Sequence, residues 1–137
     1  MKVVLDTNVL ISGIFFSGPP GEILKAWRDG IIQFVLSSDI IEEYARVAGI
    51  LEEKFPDVRV NEILTLIVTY SDIIQAPPLS RQVCEDPDDD KFLSCALASG
   101  SKMIISGDRH LLRTAGYQRI LVITPRAFVE RYLRKQT

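Results

Sequence analysis

The chain has 137 residues, 47% of them hydrophobic, which is the size and composition of one globular domain, residues 1–137, with its own core. Its 16 Lys and Arg side chains are nearly balanced by 18 Asp and Glu side chains, which excludes a long-range positive field that would attract polyanions. With two cysteines and only a short apolar run at its start, the sequence predicts a cytoplasmic protein without disulfides or a membrane span.

The first half of the chain alternates short apolar strands with amphipathic helices. In chain order these are a strand at 3–5, a helix around 23–27, a strand at 34–36, and helices over 40–47 and 60–67. The polar residues 6–8 directly after the first strand are predicted to be a loop. Asp57 is the predicted N-cap of the helix over 60–67.

The second half continues this alternation after the prolines at 77–78. Its elements are a helix over 92–97, a strand at 103–105, a short helix at 111–112, a strand at 120–123 and a helix that begins at Pro125. Strands that alternate with helices are joined by right-handed crossovers. The sequence therefore predicts an α/β fold, a three-layer α/β/α sandwich with a central, mainly parallel sheet, whose sites lie at the carboxyl ends of strands.

Two of the predicted strands lead directly into an aspartate. Asp6 follows the first strand, and Asp108 follows the strand at 103–105 after Ser106 and Gly107. A single aspartate in such a place is more often a cap or a turn former. Two of them, on strands that run in the same direction, indicate a shared crevice if the strands are neighbours.

A glutamate for the same site is expected from the helix after the second strand. At about 100° per residue, Glu43 flanks the apolar face of this helix, whereas Glu42 lies nearly opposite that face. Glu42 also stands three residues after Asp39, the spacing of a capping box. We therefore place Glu43 in the site and Glu42 at the cap or in solvent.

The most acidic stretch, residues 85–90, immediately precedes the helix over 92–97. Carboxylates in this position commonly do no more than stabilise the helix N-terminus. Asp89 lies toward the apolar side of the helix and Asp90 lies on its flank. Both are candidates for the crevice, with Asp89 slightly favoured.

Carboxylates gathered in one crevice repel one another, and a bound cation is the simplest relief. Ligand sets made only of oxygen favour Mg²⁺ or Mn²⁺ over zinc. Such ions take water and phosphate oxygens as further ligands, so hydrolysis of a phosphodiester is the chemistry expected here. Lys91, Arg109 and Arg113 lie near the predicted crevice and could contact the phosphates, although such residues are as often plain solvated surface.

Four motifs, in this order, resemble those of PIN-domain ribonucleases, and in particular the prokaryotic group related to VapC-type toxins. They are LDTNVL at 5–10, SDIIEEY at 38–44, DPDDDKFL at 86–93 and IISGD at 104–108. The resemblance covers essentially the whole chain and implies Mg²⁺- or Mn²⁺-dependent endonuclease activity on single-stranded RNA. One departure, VAGI at 47–50, leaves open how far the helix that carries Glu43 extends.

The resemblance also implies roles for individual residues and for partners. The implied metal ligands, direct or through water, are Asp6, Glu43, Asp89 or Asp90, and Asp108, and the groups that orient them are Asn8 and Ser106. RNA and a protein antitoxin are the implied partners. The apolar residues 14–16 leave a homodimer open, although burial beneath the sheet is the simpler interpretation.

Two other classes of function stay open. One is a catalytically silent RNA-binding or scaffold module, which the loss of an acidic position would favour, but all four motif positions are filled. The other is a phosphatase that uses Asp6 as a nucleophile on a small phosphorylated substrate. Such an enzyme would be expected to carry a second aspartate where Asn8 stands.

Overall fold

Five short strands form one parallel sheet at the centre of residues 1–134, the part of the chain that the computed structural model describes. The strands are β1 (Lys2–Leu5), β2 (Gln33–Leu36), β3 (Asp72–Ile73), β4 (Met103–Ile105) and β5 (Leu121–Ile123). Their order is β3-β2-β1-β4-β5, and each neighbouring pair is parallel. The predicted parallel sheet is confirmed, with β3 as a strand that sequence analysis did not identify.

Helices connect the strands and cover the sheet. They are α1 (Thr7–Phe15), α2 (Pro19–Arg28), α3 (Ser38–Lys54), α4 (Val60–Thr69), α5 (Asp90–Ser99), α6 (Arg109–Leu112) and α7 (Pro125–Phe128). Because crossovers between parallel strands are right-handed, α1 to α4 lie on one face of the sheet and α5 and α6 on the other. This is the predicted three-layer sandwich. Within residues 1–134 no helix combines the length and the apolar character that crossing a bilayer requires.

The strand order reverses between β1 and β4, which is the feature that positions the site. Leu5 is in register with Ile105, and the backbone N–H of Asp6 donates to the carbonyl of Ile105 at 3.0 Å. The connections that leave these two neighbouring strands run in opposite directions, so a crevice opens at their carboxyl ends. The predicted adjacency of the two strands is confirmed, and Asp6 and Asp108 stand at this crevice.

The four strands β1, β2, β4 and β5 are buried because nearly all of their residues are apolar, as expected when helices cover both faces, whereas the edge strand β3 is partly exposed. Large side chains from several helices fill the space on the two faces, among them Tyr44, Phe92 and Phe128. At the amino end of β2, the ring of Trp27 stacks on Phe34 with centroids 5.8 Å apart. Both cysteines, Cys84 and Cys95, are buried with free thiols.

The first helix begins where a loop was predicted. Asp6 occupies the N-cap with extended backbone, and its carbonyl accepts hydrogen bonds from the N–H groups of Val9 and Leu10. Polar residues are compatible with a first helical turn because the N–H groups there have no partners within the helix. A second prediction, burial of residues 14–16, is wrong for Phe16, which follows the end of α1 and is 71% exposed.

Two predicted helix caps are also wrong. α3 is capped by Ser37, whose Oγ accepts from the N–H of Ile40, so Asp39 and Glu42 do not form the expected capping box. α4 begins with Arg59 at the N-cap and no side-chain capping bond, so Asp57 is not its cap. The open question about residues 47–50 is resolved, because α3 continues through Gly49 to Lys54.

Candidate active site

Four of the predicted carboxylates interact with one another at the carboxyl ends of the strands. Asp6 directly follows β1, Glu43 lies in α3, Asp89 precedes α5 and Asp108 follows β4. Burial raises the pKa of Asp6, and the charges of Asp108 and Glu43 raise it further, against hydrogen bonds from Ser106 and the backbone of Thr7 that lower it. The folded chain therefore gathers these side chains from four separate segments.

Asp89 shows the same repulsion. Burial raises its pKa to about 6, and the charges of Asp86, Asp6, Asp108 and Glu43 contribute in that order. Its side chain makes no capping bond to α5 although it stands at the N-cap. Asp89 is thus a carboxylate without a side-chain capping bond to α5, placed where four other acidic groups act on it.

Asp90 has a different environment. Its Oδ1 accepts from the N–H of Cys84 at 2.7 Å, and its Oδ2 accepts from the N–H of Val83 at 3.1 Å. Both carboxylate oxygens therefore tie the loop before Asp86 to the start of α5. Of the two candidates that the sequence left open, Asp89 is the one that lies with Asp6 and Asp108.

Ser106 connects the two aspartates at the ends of β1 and β4. Its fully buried Oγ donates to Oδ2 of Asp6 at 2.6 Å and accepts from the N–H of Asp108 at 3.0 Å. Oδ1 of Asp108 in turn accepts from the N–H of His110 at 3.0 Å, which caps α6. One hydroxyl thus sets the position of a carboxylate and of the backbone that carries another.

Glu43 is held on both of its carboxylate oxygens. Thr7 Oγ1 donates to Oε2, and Lys91 Nζ donates to Oε1 at 2.8 Å. Arg46 Nη2 lies 4.0 Å from the same Oε1. Lys91, which the sequence suggested as a phosphate contact, is 14% exposed in its side chain and contacts Glu43.

Sequence analysis missed two groups that support the site. Thr7 was treated as part of a loop, and the signal that could have identified it is its place between Asp6 and Asn8 in the first motif. Tyr44 is the last residue of the second motif, and its hydroxyl donates to the carbonyl of Leu5, directly before Asp6. Burial raises the pKa of Tyr44 well above its ordinary value, and the negative charges of nearby groups, among them Asp6 and Glu43, raise it further.

Two cavities flank the carboxylates and differ in charge. The larger, of about 740 Å³, is lined by five acidic and three basic side chains: Asp39, Glu42, Glu43, Asp88, Asp90, Arg46, Arg81 and Lys91. The smaller, of about 370 Å³, shares no lining residue with the larger and contains Asn8, Ser12, Gly107, Asp108 and Pro125 among its lining residues. Asn8 is exposed at this cavity, and no hydrogen bond joins its side chain to the four carboxylates within residues 1–134.

Of the basic residues predicted for phosphate binding, Lys91 lines the larger cavity, whereas Arg109 follows Asp108, which lines the smaller one. Arg109 is the first residue of α6, directly after Asp108, and Arg113 directly follows the end of α6. Both side chains are exposed. Arg126 is exposed beside Pro125, which lines this cavity. Within residues 1–134 none of these three arginines forms an ion pair with an acidic side chain.

The carboxylates fit a hard divalent cation by chemistry and by charge. Their donors are all oxygen, and Asp6, Asp89 and Asp108 have no cationic partner among residues 1–134. No three His, Cys, Asp or Glu side chains in the described part of the chain are close enough together to hold an ion between them. Mg²⁺ commonly takes only one or two protein carboxylates and completes its shell with water, so this spacing is compatible with it.

A parallel α/β/α sandwich with acidic side chains at its topological switch point is the class of protein that the fold and the site define. The family model of the PIN domain matches residues 2–110, and the chain belongs to this family. It is 32% identical over 144 residues to the uncharacterized protein MJ1680 of Methanocaldococcus jannaschii, an alignment that covers 96% of this chain and 92% of that protein.

A solved structure shares the fold. The chain superposes with a TM-score of 0.60 on a chain of the crystal structure of VapBC2 from Rickettsia felis bound to a DNA fragment from their promoter. The match covers 90% of this chain and 98% of that one, at 11% sequence identity. PIN-domain proteins are nucleases, so membership of the family supports a hydrolase activity.

Proposed function

We propose that the chain is an endoribonuclease that hydrolyses phosphodiester bonds of single-stranded RNA with Mg²⁺ or Mn²⁺. The observation that carries this proposal is the gathering of Asp6, Glu43, Asp89 and Asp108 at one crevice, where burial and mutual repulsion raise the pKa of two of them. A site that concentrates negative charge in this way favours a bound cation. The negatively charged phosphodiester backbone of RNA also needs that cation, because otherwise the carboxylates would repel it.

The chain's own residues would divide the work at this site. One or two of Asp6, Asp89 and Asp108 would hold the ion, with water completing its shell. When bound, the ion would activate a water molecule and neutralise charge on the scissile phosphate. Ser106 keeps Asp6 and the backbone of Asp108 in place through its two hydrogen bonds. Thr7 and Lys91 hold Glu43 so that its carboxylate keeps one orientation in the crevice.

RNA would approach from the side of the smaller cavity. The larger cavity carries an excess of acidic side chains and repels a phosphate backbone. Arg109, Arg113 and Arg126 are exposed and free of ion pairs within residues 1–134, so they are available to phosphates on the opposite side. Lys91 is not proposed as a phosphate contact, because Glu43 engages it.

The experiment is cleavage of a labelled single-stranded RNA by the purified chain. Cutting is expected with Mg²⁺ or Mn²⁺, and a chelator is expected to stop it. Asp6→Asn and Asp108→Asn are expected to abolish cleavage, whereas Asp57→Asn, an exposed aspartate of the turn before α4, is expected to cut like the wild type. Full activity of either site variant, or cleavage that persists in chelator, contradicts the proposal.

The biological role that we propose is that of the toxin of a toxin-antitoxin pair, neutralised by a protein antitoxin. The support is the resemblance of the four motifs to VapC-type toxins and the likeness of the fold to a chain of VapBC2. Induced expression of the wild-type chain is expected to arrest bacterial growth, and expression of Asp6→Asn is not. Equal growth in both cultures contradicts the role as a toxin.

A second candidate is an RNA-binding PIN domain without catalysis. The wide spacing of the acidic side chains favours it, because no three of them in the described residues could ligate one ion together. The same assay distinguishes the two candidates: a gel shift of intact RNA, with no cleavage at any Mg²⁺ or Mn²⁺ concentration, would favour the silent module. Hydrolysis of small phosphate esters with RNA left intact would favour a phosphatase.

A further inference from the structure

Lys91 and Glu43 form the shortest ion pair at the site. Nζ lies 2.8 Å from Oε1, and the two side chains are 14% and 15% exposed. α5 contributes the lysine and α3 contributes the glutamate, so the pair bridges two helices. A lysine held in this way is an internal counter-ion for the glutamate, and its ammonium stays beside the carboxylates.

Positive charge is distributed unevenly over the four carboxylates. Glu43 has Lys91 at hydrogen-bond distance and Arg46 at 4.0 Å. Asp6, Asp89 and Asp108 have no ion-pair partner in the part of the chain that the structure describes. The demand for a further cation is therefore confined to the three aspartates.

In sites that use two metal ions for phosphodiester hydrolysis, the ions lie about 3.5–4 Å apart and share the surrounding carboxylates. An ion bound by Glu43 would have to displace the Lys91 ammonium from Oε1 or stand directly beside it. Either arrangement places two positive charges against one partly buried carboxylate, and the low dielectric of such a position strengthens their repulsion.

We propose that the Lys91 ammonium takes the place of a second metal ion, so that the site holds a single divalent cation, bound by one or two of the three aspartates and by water. Lys91 is thus a positioning residue, because it acts through Glu43 and not on the substrate. This inference rests on the proposed function, since it assumes that the aspartates bind Mg²⁺ or Mn²⁺.

The test counts Mn²⁺ bound per chain, with electron paramagnetic resonance of free Mn²⁺ and isothermal titration calorimetry. The wild type is expected to bind a single ion. Lys91→Met has a side chain of similar length without the charge, and it is expected to bind a second ion at Glu43. Lys91→Arg keeps the charge and is expected to bind a single ion, as is Lys54→Met, which removes an exposed lysine at the end of α3.

A second variant keeps the inference testable if Lys91→Met does not fold. Glu43→Gln removes the partner of Lys91 but leaves the three aspartates, so its affinity for the single Mn²⁺ is expected to stay close to that of the wild type. Asp6→Asn is expected to weaken the same binding by more than about tenfold. Loss of Mn²⁺ binding in Glu43→Gln would overturn the inference.

The remaining outcomes separate this inference from the proposed function. Two ions in the wild type, or a single ion in folded Lys91→Met, overturn the inference while metal-dependent cleavage of RNA still stands. A wild-type chain that binds no Mn²⁺ and cuts no RNA overturns both.

Discussion

A single serine joins the two strands that carry the site. Ser106 is buried, and its hydroxyl both donates to Asp6 and accepts from the backbone N–H of Asp108. The hydroxyl donates its proton to Asp6 and accepts the backbone N–H of Asp108 on a lone pair. A side chain of this size needs a hydroxyl group to make both hydrogen bonds. The geometry of the carboxylates therefore depends on one residue that contributes no charge.

Ser106→Ala is expected to lower RNA cleavage by about 10–100-fold, because a group that orients a metal ligand typically contributes this much. It is also expected to lower the free energy of unfolding by about 1–3 kcal/mol, since a buried N–H and a buried carboxylate lose their partner. Cleavage rates and urea unfolding measure the two effects. Ser99→Ala, at the far end of α5, is the control, and equal activity of the two variants would contradict the role of Ser106.

Asp89 makes the stability of the chain depend on pH. Its pKa is about 6 when folded, above the ordinary value of 3.8, so the folded chain binds more protons than the unfolded chain between these values. Stability attributable to this group therefore falls as pH rises from about 4 to 6, and the cost is fully present above pH 6.

Asp89→Asn removes this cost. In chelator at pH 7.5 the variant is expected to melt about 3 °C above the wild type, because roughly 1 kcal/mol remains after solvent screening of a half-buried group. At pH 4.5 the gain is expected to be smaller, since the wild-type carboxyl is then largely protonated. Thermal unfolding followed by circular dichroism measures both values. An increase in melting temperature that becomes larger toward low pH would show that folding lowers the pKa of Asp89, and would contradict the prediction.

Among the secondary-structure elements, those with a strong local pattern could be predicted and those set by tertiary contacts could not. β1 and β4 are short apolar runs followed by polar residues. The sequence therefore predicts where these strands end and that an aspartate follows each of them. β3 has two residues and pairs only with β2, and nothing in such a short segment distinguishes it from a loop.

The same division applies to the site. The period of a helix separated Glu43 from Glu42, because that choice depends on one element alone. Asp89 and Asp90 are adjacent at the start of α5, and what separates them is the loop at Val83 and Cys84, which folds back onto Asp90. The pair of Lys91 with Glu43 joins residues 48 positions apart, so only the folded chain reveals it.

Short elements at the carboxyl edge also determine the charge that an RNA substrate would meet. α6 is a single turn that carries Arg109, and α7, which continues as a π-helix over Val129–Leu133, carries Arg126 beside the smaller cavity. By contrast, α3 and the loop before α5 line the larger cavity with acidic groups. An asymmetric surface of this kind gives a nearly neutral chain a directional attraction for a polyanion.

The double variant Arg109→Ala/Arg126→Ala is expected to raise the KM for RNA and leave kcat nearly unchanged. Each lost phosphate contact is expected to reduce the slope of log affinity against log salt concentration by about 0.7. Binding is measured with the inactive Asp6→Asn background at several salt concentrations. Arg28→Ala is the control, because Arg28 lies at the end of α2 and pairs with Asp29. An unchanged salt slope in the double variant would contradict an RNA path over this side.

For the whole molecule, the question is whether the site and the opposite end of the sheet unfold together. Trp27 is the only tryptophan, and it stacks on Phe34 near the amino end of β2, while the acidic groups lie at the carboxyl ends. Burial of β1, β2, β4 and β5 along nearly their whole length predicts one cooperative transition, as expected of a single domain.

Mn²⁺ is therefore expected to stabilise the environment of Trp27 although it binds at the other end of the sheet. At a free concentration of about 100 times its Kd, a ligand of the folded state adds about 2.7 kcal/mol to the free energy of unfolding. Trp27 fluorescence and far-ultraviolet circular dichroism should give coincident transitions that both shift by this amount. Asp6→Asn should lose the shift in both signals and Asp57→Asn should keep it. A shift seen by circular dichroism alone would mean that the two ends unfold separately, and that the chain is not one cooperative domain.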